Sequence, residues 1–267
     1  MPTDFSAGIL HMREGSMKKR FGISAFWLKL TAMAGMLIDH IHTHFYTQTP
    51  YWLGFIGAFV APVFVYFLIE GFFHTKSRPK YCFRLYVSAA AMGIGSAVLN
   101  LFLKARDVCI ANNIFLTLAV LFTIIWLIET VRRQRHEEPR IYWLLLPATV
   151  LAFSCLMLEG GIYMLPFALI TYVFYGKKQF QVTGYLLFSL ILLGKALYSY
   201  YSVGMAYESL SHYLAFDREF LIAAAIPLIC LYNGERGPSG KASKWMFYIF
   251  YPAHLWMIGI LEYLSKG

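Results

Sequence analysis

The 267 residues are 59% apolar and 18% aromatic but only 14% charged, well below the quarter or so of charged residues in ordinary soluble domains. The formal charge of +9 does not indicate a nucleic-acid partner, because the basic residues form short clusters between apolar runs, where they set membrane orientation. Cys82, Cys109, Cys155 and Cys230 are far apart with no CxxC pair, which argues against a disulfide framework or a zinc cluster.

Residues 1–21 read as a polar N-terminal segment open to disorder. The apolar run after Met17-Lys18-Lys19-Arg20 is too long for a signal peptide and lacks a small-residue cleavage site, so it is expected to be a retained first helix, with Met17 an alternative start. Further runs follow, giving 22–46, 52–73, 82–103, 112–131, 141–158, 160–176, 182–203, 217–232 and 244–264. At about 20 residues per crossing, these predict an all-α integral membrane protein, a polytopic bundle of about nine transmembrane helices forming a single domain over 22–267. Around Glu159-Gly160-Gly161 the choice is between a tight outside turn and a break in one helix. The length of 141–176, about 36 residues, favours two short spans.

Alternate threading from a cytoplasmic N-terminus puts five basic clusters on one side: Lys18/Lys19/Arg20, Lys76/Arg78/Lys80/Arg84, Arg132/Arg133/Arg135/Arg140, Lys177/Lys178 and Arg236/Lys241/Lys244. Lys104, Arg106, Arg218 and Lys266 fall opposite. One missed span would invert every later loop and destroy this asymmetry.

Titratable residues are costly in hydrocarbon, yet LIDHIHTHFY (37–46) carries Asp39, His40, His42 and His44. Lys29 lies eleven positions before His40; at ~100° per residue the two share a helix face about 16 Å apart along the axis. Lys29 reads either as an anchor snorkelling to the headgroups or as a fixed cation receiving a phosphate at a cavity mouth. Asp39 cannot share the face of His40 and is expected to orient another group, cap a neighbouring helix or pair with a cation. His44 does share it, but an HxxxH pair has no identifiable third ligand, so no metal is expected. His42 is expected at the interface beside Phe45, Tyr46, Tyr51 and Trp52. Glu70 and His74 lie one turn apart, and His254 follows Pro252, whose ring opens a polar notch in a helix. Ionisable residues in several spans favour a shared internal cavity.

Four stretches carry a family resemblance: LKLTAMAGMLIDHIH (28–42), APVFVYFLIEGFFHTKSRPKYCFRL (61–85), NNIFLTLAVL (112–121), and PLICLYNGERG with KWMFYIFYPAHL (227–237 and 244–255). In order and spread they resemble the TraX family of integral membrane proteins, named for pilin acetylation, itself similar to the type-3 membrane acyltransferases. Those have an arginine and a histidine with ten residues between them on the first helix, and Lys29, ten residues and His40 reproduce that spacing. The resemblance implies a transmembrane acyltransferase of the cell membrane that uses cytoplasmic acetyl-CoA or another acyl-CoA. The acceptor would be an amine or hydroxyl, on a pilin or other peptide N-terminus or on an envelope glycan. His40 would be the catalytic histidine, as base or acyl carrier, supported by Asp39. Lys29 with Lys76, Arg78, Lys80 and Arg84 would receive the donor's phosphates. Glu70, paired with Lys29 or Arg84, would join His74, His254, Asn233 and His44 as further cavity residues. Two positions depart from the family pattern: Ala58 stands where an arginine is usual, and AAAMGIGS (89–96) where an acidic SE pair is usual. A proton-coupled transporter using Asp39, His40, Glu70 and His254 as a relay, and a catalytically silent assembly factor, are the rival readings.

Overall fold

The computed structural model describes residues 22–136, 138–202 and 209–266. The polar segment 1–21, with its Lys18/Lys19/Arg20 cluster, lies outside the described residues. The first helix, α1 (Ala25–His44), leads through a 3-10 turn (Tyr46–Gln48) to a nine-residue 3-10 helix (Tyr51–Phe59) that continues as α2 (Val60–His74). Then come α3 (Arg78–Leu103), α4 (Ile114–Gln134), a 3-10 lead-in (Pro139–Leu144) to α5 (Leu145–Leu156), and α6 (Gly161–Val173). The chain ends with α7 (Lys178–Ser202), the short α8 (Leu210–Phe216), a 3-10 helix (Glu219–Ala225) running into α9 (Ile226–Leu231), and α10 (Lys241–Ser265). Among the described residues the extended pairing is confined to one bridge between Ile23 and Tyr232.

Local chemistry sets several helix starts. Ser77 caps α3 by accepting the Lys80 N–H, with proline in the first turn, and Asn113 caps α4 by accepting the Leu116 N–H; each satisfies one of the donors a helix start leaves free. At α1 a distant loop does this work: the N–H groups of Ala25 and Phe26 donate to the carbonyls of Glu235 and Arg236.

Four apolar stretches are long enough to cross a bilayer: Tyr51–His74, Arg78–Arg106, Ile114–Gln134 and Lys178–Ser202. The fully buried centre lies on α2 and α4, with Ile69, Phe72, Leu121, Phe122 and Ile125, whereas α3 and α7 turn Phe83, Ile94, Leu101, Leu190, Ile191 and Tyr198 outward. Large side chains exposed along whole helices would be untenable in water and are expected against lipid. The protein is therefore a helical membrane protein. Between helices, where lipid competes equally for apolar surface, close fit matters most. A Cβ on Gly95 would come within 2.3 Å of the Trp256 ring.

Of the nine expected runs, four form helices of full crossing length and three form shorter apolar helices. Helix α6 has 13 residues, about 20 Å against the ~30 Å of a hydrocarbon core. The α5–α6 turn also stops partway along the bundle. Its Glu159 accepts from Asn112, whose neighbour Asn113 donates to the carbonyl of Ala89, near the middle of α3. From the other side, residues 107–113 descend without helical structure to that level, their backbone held by Asn100, which exchanges two hydrogen bonds with Ile110. Hydropathy reads how apolar a run is, not how far it travels. Irregular backbone is tolerated at such depth when buried in protein and bonded, as here.

Candidate functional site

The proposed histidine lies in a buried pair. His40 Nδ1 is 2.7 Å from His254 Nε2, the ring planes are within 9° of parallel with centroids 5.0 Å apart, and both residues are buried. His254 Nδ1 lies 2.7 Å from the Phe250 carbonyl on its own helix. The Tyr251 ring stands edge-on to both imidazoles. Its hydroxyl donates to Glu159 Oε2 and accepts the Ile114 N–H at the start of α4.

The other polar groups of α1 have partners of their own. Asp39 forms an ion pair with Arg218 at 2.6 Å, and Arg218 also donates to the Gly54 carbonyl of the long 3-10 helix. That helix passes so close that a Cβ on Gly57 would lie 2.2 Å from the Asp39 carboxyl carbon, so glycine is required there. His44 binds Glu262 on α10, and does not converge with His40 on a common point. His42 is buried within the protein beside the Tyr46 ring, its Nδ1 2.7 Å from the Thr49 hydroxyl.

About three helical turns along α1 from His40, a cavity of about 560 Å³ opens where the basic loops gather. Lys29, Lys76, Arg84, Arg236 and Lys244 line it. Lys29 points across the apolar faces of Phe67 and Phe247, 5.0 and 5.7 Å from the ring centroids. Phe64, Phe115, Leu118 and Phe247 belong both to this cavity and to a second of about 30 Å³, which reaches Phe250 and Tyr251. That is the room of about one water, and its walls are the rings that touch the histidine pair.

Several sequence expectations are redirected. Glu70 and His74 do line the large cavity, but Glu70 pairs with His74 at 3.5 Å and accepts from the Tyr66 and Tyr175 hydroxyls, rather than meeting Lys29 or Arg84. Arg78 lies over the Phe72 ring, 4.0 Å from its centroid, and Lys80 is exposed; neither lines the cavity, because the first turn of α3 faces away from it. Asn233 instead shapes the loop that caps α1, accepting the Glu235 N–H. Of the residues usually different in the family, Ala58 lies in the long 3-10 helix, and 89–96 runs along α3 to Ser96, which accepts from Trp256 Nε1.

Sequence reasoning did not single out Arg218, Arg236, Lys244, Tyr251 or Glu159. The three basic residues were read as orientation signals, and their signal was present in the sequence only as charge. Glu159 had one clue, a carboxylate inside a 36-residue apolar stretch.

A cationic cavity at one end of a helical bundle, joined along one helix to a buried histidine pair, defines a helical membrane protein with an internal polar site. The chain belongs to the TraX family: the model described as TraX protein matches residues 24–262. It is also 28% identical over 269 residues to "Probable fimbrial assembly protein FimC, serogroup H1" of Dichelobacter nodosus, covering 90% of this chain and 96% of that protein. No solved structure matches the chain.

Proposed function

We propose that this protein is a membrane-embedded acyltransferase that moves an acetyl or other acyl group from cytoplasmic acyl-CoA to an amine or hydroxyl acceptor. The observation that carries the reading is the cavity lined by Lys29, Lys76, Arg84, Arg236 and Lys244, which shares apolar walls with the small void bounded by Phe250 and Tyr251 beside the histidine pair. The cations suit phosphates, and a pantetheine-like arm reaching the histidines has to part the shared apolar walls, because the void there has the room of about one water. The cavity volume falls in the usual ligand range of about 300–1,000 Å³. Glu70 in the same wall is compatible with an anionic donor, since His74 and two tyrosine hydroxyls engage it.

In this reading the basic end is cytoplasmic, as the positive-inside bias requires. His40 Nε2 takes the proton from the acceptor as its nitrogen or oxygen attacks the thioester carbonyl carbon. The C–S bond breaks, and the departing thiolate recovers that proton from His40 to leave as the free thiol. Family membership and the relative named for fimbrial assembly favour a pilin or another peptide N-terminus as acceptor; a hydroxyl of an envelope glycan meets the same chemistry.

The test is purified protein with radiolabelled acetyl-CoA, comparing wild type with His40→Ala and Lys29→Ala. His40→Ala is expected to bind the donor without transferring or hydrolysing it, and Lys29→Ala to bind it weakly. Absence of donor binding by every version would overturn the proposal, and equal turnover by all three would refute the residue roles.

A further inference from the structure

We infer that His254 is a positioning residue that fixes the proton of His40 on Nδ1 and so leaves Nε2 as the basic nitrogen. The inference concerns the same site and rests on the acyl-transfer reading for its functional consequence, although its structural content stands without it.

The argument follows hydrogen atoms along a chain of three groups. The Phe250 carbonyl can only accept. His254 Nδ1, 2.7 Å from it, must therefore carry a hydrogen. A neutral imidazole has one N–H and one bare nitrogen, so His254 Nε2 is bare and accepts. His40 Nδ1, 2.7 Å from that nitrogen, must then be the donor. The same rule leaves His40 Nε2 without a hydrogen, and it makes no hydrogen bond to another described residue. The tautomer is thus set from a main-chain carbonyl two groups away, much as the unused nitrogen of a metal-binding or catalytic histidine is set by its hydrogen-bond partner.

The fold supplies the rigidity that such a relay needs. Phe250 stacks on His254 with centroids 4.6 Å apart, and Tyr251 blocks the other side edge-on while tied to Glu159 and to the start of α4. Neither imidazole can flip without breaking a buried hydrogen bond. The arrangement also has a use during turnover. When His40 Nε2 gains the acceptor's proton, its Nδ1 hydrogen remains in a bond to a lone pair on His254, which stabilises the imidazolium formed. An aspartate in that place would hold His40 permanently charged more strongly; a neutral imidazole supports protonation without fixing it. No other described group holds His40 Nδ1.

Selective 15N labelling of histidine, with His40 assigned by its loss in His40→Gln, reads the tautomer directly in the intact protein. The expected result is a bare, pyridine-type Nε2 and a protonated Nδ1 on His40 in the wild type. In His254→Phe the signals should become those of mixed tautomers, with acyl transfer roughly 100-fold slower, the lower range for a positioned base, and donor binding unchanged. His254→Gln, whose amide oxygen can accept from Nδ1, should restore the single tautomer and most of the rate. A wild-type His40 carrying its hydrogen on Nε2 overturns the inference whether or not any variant folds. So does a folded His254→Phe protein that keeps both the wild-type tautomer and the wild-type rate. If instead the tautomer behaves as expected but no version binds or turns over acetyl-CoA, the acyl-transfer reading fails and the histidine relay stands.

Discussion

Replacing Arg218 by glutamine tests whether Asp39 serves the architecture of α1 or its chemistry. The two side chains are only 25% and 16% exposed and their charged atoms are 2.6 Å apart. Opposite unit charges ~4 Å apart attract by about 4 kcal/mol at an effective dielectric of 20, and breaking one side of a buried pair typically costs about 3–5 kcal/mol. Arg218→Gln leaves Asp39 without its cation and loses the donor to the Gly54 carbonyl, so the expected loss is about 4 kcal/mol. Asp39→Asn removes the buried anion itself and leaves the bond to Gly54, so it should cost less, about 1–2 kcal/mol. The double variant should lie well short of the summed losses, because its second change removes a charge already stranded by the first. Equilibrium unfolding in mixed micelles gives the energies, and acetyl-CoA binding at the far cavity should be unchanged in Asp39→Asn. The reasoning is refuted if Arg218→Gln costs less than Asp39→Asn. It is equally refuted if Asp39→Asn is fully stable, binds donor and has no turnover, which would put Asp39 in the chemistry.

Three further outcomes are expected. Arg236→Ala and Lys244→Ala should each weaken acetyl-CoA binding by about tenfold, the worth of one ~1.4 kcal/mol contact, while Lys80→Ala should leave isothermal binding unchanged; equal loss from all three would mean a diffuse field rather than the cavity. In a cysteine-free background, Met157→Cys at the α5–α6 tip should resist an impermeant maleimide from both faces of sealed vesicles, whereas Tyr46→Cys should react from one; Met157 is 82% exposed from the protein, so labelling would show that the turn reaches water. Asp217, in the turn before the last 3-10 helix, is pushed up by burial, but hydrogen bonding to Glu219 and to Lys195 outweighs this and holds its carboxyl below the usual range. Its contribution is therefore complete above the unfolded pKa of ~3.9 and lost as pH falls through the lower folded value, so acidification from pH 5 to 3 should destabilise wild type more than Asp217→Asn.

The sequence revealed most where function follows helix pitch. The eleven-position step from Lys29 to His40 is just over three turns, and the structure puts one in the cavity wall and the other in the histidine pair. It revealed least where a partner comes from far along the chain. His254 is 214 residues from His40, and Arg218 stands 179 residues from Asp39 in a loop read only for its charge. No local period connects such residues; the packing of α1 against α10 and against the long 3-10 helix, which in turn packs on the 3-10 helix Glu219–Ala225, does. Arg236 was hidden for another reason, because the loop around it gains its position by accepting the N–H groups at the start of α1 on its carbonyls, a contact invisible to hydropathy.

The energetic difficulty of placing Asp39, His40, His42 and His44 within six residues of an apolar segment is resolved by giving each a separate partner, but the partners differ in kind. Asp39 faces a guanidinium and His44 a carboxylate. His42 faces a hydroxyl, on the side where α1 meets the Tyr46 ring. His40 alone among the four faces a second imidazole, a partner with no fixed charge, and does so beside the narrow apolar extension of the cation-lined cavity. In the proposed acyl transfer, a group that must take up and return a proton in each cycle is best held by a neutral acceptor, because neither protonation state then strands a buried charge on its partner. The contacts of Asp39 and His44 on either side of His40 anchor the helix, and in that proposal the uncharged contact between them holds Nδ1 while leaving Nε2 to take up and return the proton.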